Sequence, residues 1–389
     1  MPWTQRTPTD EKIAFIGDYL EGFFSFSELC SRFNISRQSG YRVVINYFTC
    51  GVESLSPQSR RPHTCPHQTP PQVEEALVTM RQKHPSWGAK KLEELFRRRT
   101  PDLQLPGRST MCDIIRRNGL ITKQRRRPPL SHPGRPITNP DKPNVLWAAD
   151  YKGEFKTLDG NYCYPLTITD SCSRYILGCK GLPRAIYPDT KKEFSRLFKT
   201  YGLPDRIRTD NGAPFASIAL GRLSRLSIWW VRLGIIPELI EPGQPQQNGK
   251  HERMHRTLKA ETTRPPARNL RQQQVRFNGF VEEFNNERPH EALDMKTPSE
   301  IYTPSLREMP DKLPPIEYPG HFQTRRVSRN GGIRWKSRWV CVSQILGEEY
   351  IGLEEIDNGI HEVYFGPVYL GRFYEETFQI VPRRKNQDT

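Results

Sequence analysis

Apolar positions along the chain change period more than once, and each change marks a new segment. In Glu11 to Tyr19 and just beyond, Ile13, Ile16 and Leu20 recur at three- and four-residue steps, which predicts an amphipathic helix. The stretch SFSELCSRFNISRQSGYRVVINYF follows. Ser27 is suited to cap a short helix holding Leu29 and Phe33, Asn34 to take a tight turn, and Ser36 to cap a second helix carrying Tyr41, Val44 and Ile45. Two short helices about such a turn predict a helix-turn-helix whose second helix offers Arg37, Gln38 and Arg42 to a major groove, although a plain three-helix bundle has the same pattern. The helical period returns from Gln72 to about Leu120, with Val73, Leu77 and Met80 on one face. Ser109 is the expected cap of its last helix and Gly119 the expected stop, again outlining a helix-turn-helix.

From about Asn144 the pattern becomes strand alternating with helix. VLWAADYKGEF predicts a strand delivering Asp150, and YCYPLTITDSCSRYILGCKGL predicts two more strands joined by a polar turn at Asp170–Arg174, an antiparallel meander. Thr190 to Tyr201 reads as a helix stopped by Gly202. DRIRTDNGAPF then reads as a short strand ending at Asp210, with Asn211 and Gly212 turning the chain so as to expose the carboxylate. IIPELI is a further strand. The helix KHERMHRTLKAE places Glu252, His255 or Arg256, and Lys259 along one face at three-, four- and seven-residue steps. Beyond Glu317 strict alternation predicts a small β-barrel with hairpin turns at Asn330-Gly331 and Asn358-Gly359.

Proline-rich stretches separate these segments, with five prolines in Ser54–Pro71 and six in Pro128–Pro143. The expected organisation is a helix-turn-helix domain at 1–53, a linker at 54–71, a second helix-turn-helix (winged-helix-like) at 72–127 and a basic linker at 128–143. An α/β core at 144–302, a linker at 303–316, a β-barrel at 317–381 and a basic tail at 382–389 follow. Lysine and arginine outnumber aspartate and glutamate 59 to 43, a net charge of +16, so a polyanionic partner is expected, with nucleic acid ahead of a membrane surface. No apolar run approaches the roughly 18 residues of a spanning helix, and a cytoplasmic protein with reduced thiols is expected. His63, Cys65 and His67 alternate in a proline-rich loop and fit no common zinc site.

Charge is concentrated. Gly88 to Arg127 holds 12 basic and four acidic residues, including Lys90, Lys91, Arg125, Arg126 and Arg127, and predicts an arm that tracks phosphates. The hairpin TRRVSRNGGIRWKSR has six basic residues and no acid, with Arg325, Arg326, Arg334 and Lys336 around Trp335, a pattern suited to holding a DNA backbone. Asp150, Asp210 and Glu252 are hard oxygen donors brought from a strand centre, a strand end and a helix. Two divalent ions about 4 Å apart, held by such donors, can activate an attacking oxygen and stabilise a leaving one in phosphodiester chemistry. Asp170, between two strands, favours a turn role, and Glu261 projects from nearly the opposite side of its helix to Glu252. His251 and His255 read as solvated or DNA-facing.

The motifs W-A-A-D at Trp147 to Asp150, T-D-N-G at Thr209 to Gly212, P-x-Q-N-G-K-x-E from Pro245 to Glu252, Lys259, and NNERPHEALDMKTPSEIY from Asn285 to Tyr302 occur in a characteristic order. In them the chain resembles the integrase-core transposases of bacterial insertion sequences, relatives of retroviral integrases built on the ribonuclease H-like fold. The resemblance implies that Asp150, Asp210 and Glu252 ligate Mg2+ or Mn2+, two ions per site. It also implies that Asn248, Lys250, Arg256 and Lys259 contact DNA, and that the substrate is the double-stranded end of a mobile element. Joining two ends in one event implies a homo-oligomer, a dimer or tetramer assembled on DNA. Two features depart from the pattern: 41 residues separate Asp210 from Glu252, with the surplus in SIALGRLSRLSI, and helix-turn-helix units stand where retroviral integrases carry a zinc module. A catalytically retired DNA-binding regulator and a nuclease without joining activity are the alternatives.

Overall fold

The computed structural model describes residues 7–57, 68–121, 138–241 and 244–382. His63, Cys65, His67, Arg125, Arg126, Arg127 and nearly all of the basic tail lie outside them. Two compact units result, 1–70 and 71–389.

In the first unit α1 (Pro8–Glu21), α2 (Phe26–Arg32) and α3 (Arg37–Cys50) close around Phe15, Ile16, Leu29, Cys30 and Val44. Asn34 takes the expected left-handed turn (φ 52°) and Ser36 caps α3. Ser25, rather than Ser27, caps α2. A capping box needs an acidic or amide side chain three residues on to return the hydrogen bond; Glu28 supplies it for Ser25, whereas Ser27 would meet Cys30. Tyr41 and Ile45 are exposed instead of packed, because α3 crosses α2 at Gly40, where a Cβ would stand 2.7 Å from Cys30 Sγ, and the buried stripe runs through Gly40 and Val44.

The second unit begins with α4 (Pro71–Lys83), α5 (Ala89–Arg99) and α6 (Arg108–Arg117), packed on Leu77, Trp87, Leu92, Phe96, Met111 and Ile114. α6 starts before Ser109: Gly107, extended after Pro106, takes the cap position without a side-chain bond, and Gly119 (φ 70°) follows the helix as expected. These helices lean on the following α/β region through ion pairs. Lys90 lies 3.1 Å from Glu291, Arg98 3.1 Å from Glu300 and Arg99 2.9 Å from Glu287.

That region comprises β1 (Leu146–Tyr151), β2 (Phe155–Lys156), β3 (Tyr162–Asp170), β4 (Ile176–Leu182), α7 (Tyr187–Tyr201), β5 (Arg206–Thr209), α8 (Arg225–Arg232), β6 (Ile236–Leu239), α9 (Gly249–Thr262) and α10 (Leu270–Glu282). The strands lie in the order β4-β3-β1-β5-β6, with β2 on β3. β3 pairs antiparallel with β1 and β4, the expected meander, and β1, β5 and β6 run parallel. Strand alternation splits the sheet residues between two cores. Trp147, Ala149, Leu166 and Ile168 pack with Phe194 and Phe198 of α7 and Trp230 of α8; Cys163, Ile176 and Cys179 meet Met254 and Leu258 of α9 and Phe277 and Phe280 of α10.

The C-terminal strands are β7 (Gln323–Arg326), β8 (Gly332–Trp335), β9 (Arg338–Cys341), β10 (Tyr350–Asp357), β11 (Ile360–Phe365), β12 (Val368–Tyr374) and β13 (Gln379–Val381). They do not close into the expected barrel. β13-β12-β11-β10-β7 form an open antiparallel sheet and β8-β9 a separate pair. Asn330-Gly331 does not join a hairpin, because β7 pairs with β10; the tight turn is Lys336–Ser337 (φ 43° and 65°), between β8 and β9. Asn358-Gly359 does join β10 to β11. The open sheet buries its apolar face partly on the α/β region, since Leu223, Ile228 and Val231 share a core with Val340, Leu353 and Phe365. Leu223 and Ile228 of SIALGRLSRLSI thus contribute to this seat.

One buried guanidinium ties the approach to α9 to the sheet. Arg208 on β5 donates to Glu238 of β6 at 2.6 Å, to the Gln247 carbonyl at 3.0 Å and to the Thr138 carbonyl at 2.6 Å. Arg208→Ala leaves the Glu238 carboxylate buried without its cation and should cost about 3–5 kcal/mol of stability. Denaturant unfolding measures it, and a loss below about 1 kcal/mol would contradict this role.

Candidate active site

Strand period and register determine what faces α9. Asp150 lies opposite Thr167 and Ala148 opposite Thr169 in the β1–β3 pairing, so these four share the face away from Trp147 and Ala149. Asp210 stands one residue past β5. The Gly212 amide donates to Asp210 Oδ1 at 3.2 Å, and Asn211 Nδ2 donates to the Ile240 carbonyl at 2.9 Å, which holds the turn open toward the same end of the sheet. Glu252 sits in the first turn of α9, on its exposed side with Arg256 and Lys259.

Charge registers how these carboxylates gather. Burial, then the charge of Asp210, with Glu252 adding to both, pushes the Asp150 carboxyl up to about 7, against the pull of Lys152. Burial also raises Asp210, opposed by the Gly212 amide. Asp170 keeps the turn role expected of it. It is wholly buried and accepts from the Asn144 amide at 2.8 Å, the Ser173 amide at 2.7 Å and the Ser173 hydroxyl at 2.6 Å. Glu261 points elsewhere, to Ser86 at 2.6 Å and Arg288 at 3.3 Å.

The histidines correct the sequence reading. His251 and His255, expected in solvent or on DNA, are each only 1% exposed. Thr167 Oγ1 bonds both Nε2 atoms, at 2.8 Å to His251, and Thr169 Oγ1 bonds His251 Nδ1 at 2.8 Å. His255 Nδ1 lies 3.6 Å from Asp150 Oδ2, so Asp150, His251 and His255 could together offer donor atoms to a metal. Burial holds His251 down at about 3 and lowers His255 further, so both rings are neutral. Their signal was present in the sequence: His251, Met254, His255, Leu258 and Thr262 form the buried three-four stripe of α9.

The remaining expected contact residues scatter. Arg37 donates to Ser27 Oγ at 2.9 Å, while Gln38 and Arg42 are exposed. Lys90 is paired with Glu291, and Lys91 is half-buried, its ammonium lowered to about 8 by burial and by Arg288. Asn248 is buried, and Lys250 donates to the Ser171 carbonyl at 3.3 Å. On the C-terminal hairpin Arg334 is exposed, Arg325 lies 5.1 Å over the Trp335 ring, Arg326 bonds Glu348, and Lys336 bonds Glu375 at 2.6 Å. Trp335 belongs to the core, 3% exposed, with its indole N–H on Glu375.

Comparisons with known proteins converge on the same region. The integrase core domain family matches residues 140–245 and, under a second description of the same title, residues 233–298; a helix-turn-helix domain family matches residues 11–63. The Gag-Pol polyprotein of baboon endogenous virus is 29% identical over 193 residues, 49% of this chain and 11% of the polyprotein. The insertion element IS407 uncharacterized 31.7 kDa protein of Burkholderia multivorans is 26% identical over 202 residues, 48% of this chain and 66% of that protein. The HTLV-2 integrase catalytic core domain, solved in complex with magnesium, aligns with a TM-score of 0.34 at 18% identity, covering 43% of this chain and 100% of that one. A protein in the simian T-cell lymphotropic virus intasome aligns with a TM-score of 0.37 at 15% identity, covering 68% of this chain and 90% of that one. The chain spans only a small part of the viral polyprotein and just under two thirds of the insertion-element protein. With the motifs in order across 140–298 and a helix-turn-helix match ahead of them, the chain carries an integrase core domain and is similar to an insertion-element protein and to the integrase region of retroviral polyproteins.

Proposed function

We propose that this protein is a DNA transposase that binds the terminal inverted repeats of an insertion sequence, cuts at their ends and joins them to target DNA, with Asp150, Asp210 and Glu252 as its catalytic metal ligands. The observation that carries the reading is the placement of Asp150 within β1, Asp210 just past the neighbouring β5 and Glu252 in the first turn of α9, close enough that the charges of Asp210 and Glu252 add to burial in raising the Asp150 carboxyl to about 7. Like charges held together at a sheet edge favour a bound cation, and three carboxylates are a hard oxygen donor set suited to Mg2+ or Mn2+. Two such ions, when bound, supply Lewis-acid activation of the attacking oxygen and stabilisation of the leaving one.

The chain's own residues do the rest. Asp150 and Asp210 set the position of the centre from the rigid sheet, and Glu252 closes it from α9. Arg256 and Lys259, on the same exposed face, hold the DNA backbone near the scissile phosphate, with Asn248 and Lys250 at the helix start. Arg37, Gln38 and Arg42 of α3 read the repeat in the major groove, and Arg325 and Arg334 hold backbone at the C-terminal sheet. In the first step water attacks phosphorus, the P–O3′ bond breaks and the 3′-oxygen leaves with a proton. In the second that 3′-hydroxyl attacks a target phosphodiester, loses its proton and displaces a target 3′-oxygen. Two ends require a homo-oligomer, a dimer or tetramer on DNA, and the units 1–70 and 71–389 divide recognition from chemistry.

Asp150→Asn or Glu252→Gln should abolish joining while leaving end binding intact, since each removes ligand charge with little change in size. Gels separating nicked from joined DNA measure it; near-normal joining by either variant would refute the ligand assignment. Stability gives an independent check. A carboxyl raised from 3.8 to about 7 in the fold binds more protons folded than unfolded between those values, so metal-free protein loses stability as pH rises through that window. The melting temperature of wild type should therefore fall relative to that of Asp150→Asn between about pH 4 and 7, and magnesium or manganese above pH 7 should recover it; parallel profiles would contradict the shift. Lys259→Ala tests the grip of α9. Seven residues place Lys259 about 10 Å along the helix from Glu252, and its loss should lower the salt slope of end binding by about one without loss of folding. Identical slopes and joining rates would exclude Lys259 from the site.

A further inference from the structure

A cavity of about 570 Å³ lies between the helices of residues 71–117 and the start of α9, and Asp150, Asp210 and Glu252 are not on its wall. Its lining is cationic: Lys91, Arg174, Arg208, Lys250, Arg253 and Arg288 all face it. Two of these charges are neutralised inside the protein, Arg208 by Glu238 at 2.6 Å and Arg288 by Glu261 at 3.3 Å. Among the described residues, no carboxylate stands within ion-pair distance of Lys91, Arg174, Lys250 or Arg253. The acids on the wall are already engaged: Asp170 takes its three turn hydrogen bonds and Glu291 pairs with Lys90. Cations so placed repel one another. Burial and Arg253 lower the Arg174 guanidinium; burial, Arg288 and Arg174 lower the Lys91 ammonium, against the pull of Glu291 and Glu261. Arg174 also adopts a left-handed backbone (φ 64°), uncommon for a residue with a side chain.

Two further donors converge on the same space. The first turn of α9 begins there, with Asn248, Gly249 and Lys250 on the wall and no side chain capping the helix amides. His290, 7% exposed, also lines the wall, and its buried Nε2 has no hydrogen-bond partner. An anion in the cavity would favour the protonated ring. Lys91 and Arg174, half-buried without an ion pair among the described residues, cost stability, and the helix start with Lys250 and Arg253 beside them supplies the donors that a tetrahedral oxyanion takes.

We propose that this cavity, which adjoins the carboxylate centre at His251 but has none of Asp150, Asp210 and Glu252 on its wall, is a phosphate-binding site that takes either a phosphodiester of bound DNA or a free inorganic polyphosphate. The DNA source rests on the transposase reading; the site itself does not. Lysine and arginine side chains from α5, the β3–β4 turn and α9 surround the phosphate, so its binding clamps residues 71–117 onto the catalytic region.

The test uses the full chain in EDTA, so that no divalent ion links polyphosphate to the carboxylates. Sodium tripolyphosphate, against sodium chloride of matched ionic strength, should raise the melting temperature of wild type. The rise should be lost in the double variant Lys91→Gln/Arg174→Gln and reduced in Lys91→Gln alone. Without the anion the double variant should melt at or above wild type, because removing unpaired cations relieves repulsion. If DNA supplies the phosphate, the salt slope for duplex binding falls by about two in the double variant and by about one in Lys91→Gln, and tripolyphosphate competes with duplex. If free polyphosphate is the ligand, the slope is unchanged while the thermal response is still lost. Equal thermal responses and equal salt slopes in wild type and double variant would overturn the site. Failure of wild type to bind any duplex would instead overturn the transposase reading, with the tripolyphosphate response still deciding the cavity.

Discussion

Carboxylates repel one another, so a cluster of them has to be held in place by bonds that owe nothing to their own charge. Here that restraint is the contact between α9 and β3. Two neutral imidazoles, His251 and His255, are bonded to the hydroxyls of Thr167 and Thr169, and Met254 and Leu258 pack beside them. A helix seated by neutral hydrogen bonds and apolar burial can carry Glu252 up to Asp150 without adding a compensating cation that would compete with a metal. Protonated histidines in the same places would act as internal counter-ions for Asp150. Burial prevents that by keeping both rings uncharged across the ordinary pH range.

Positive charge is managed in the opposite way on the two sides of the same helix. Arg208, buried beside the approach to α9, is fully matched by Glu238 and two carbonyls and serves only to fix the backbone. Among the described residues, Lys91, Arg174 and Arg253 have no such ion-pair partners, and neither do Arg256 and Lys259 on the exposed face. Pairing inside the protein thus separates structural cations from those left free for an external anion. The net charge of +16 would not by itself make that distinction.

Much of this was legible in the chain, where local rules decide the outcome. Alternation in β1 put Asp150 on the face opposite Trp147, Asn211-Gly212 marked the turn after Asp210, and the three-four spacing put Lys259 on the face of Glu252. At α2 the deciding rule is itself local: Ser27 and Ser25 are both plausible caps until Glu28, three residues past Ser25, is included. Elsewhere a tertiary contact decides, and Tyr41 is a plausible core residue until α3 is known to cross at Gly40. His251 and His255 look solvated beside so many charges, yet their i, i+4 spacing with Met254 and Leu258 is that of a buried stripe. Trp335 stands in the middle of a basic hairpin suited to holding a DNA backbone, but its register in β8 turns its ring into the core.

The same reasoning accounts for residues 217–228, which lie between Asp210 and Glu252 in sequence. A segment there could disturb the carboxylates. It instead leads into α8, whose Trp230 packs on Phe194 inside the α/β core while Ile228 and Val231 turn outward into the C-terminal cluster. The open C-terminal sheet has an apolar face that must be buried, and Leu223, Ile228 and Val231 help to bury it, with Arg232 and Glu349 paired at 2.9 Å at its margin. This segment therefore serves the seat of the last strands, and β5, β6 and the Arg208 bonds hold Asp210 and the approach to α9 on the far side of it.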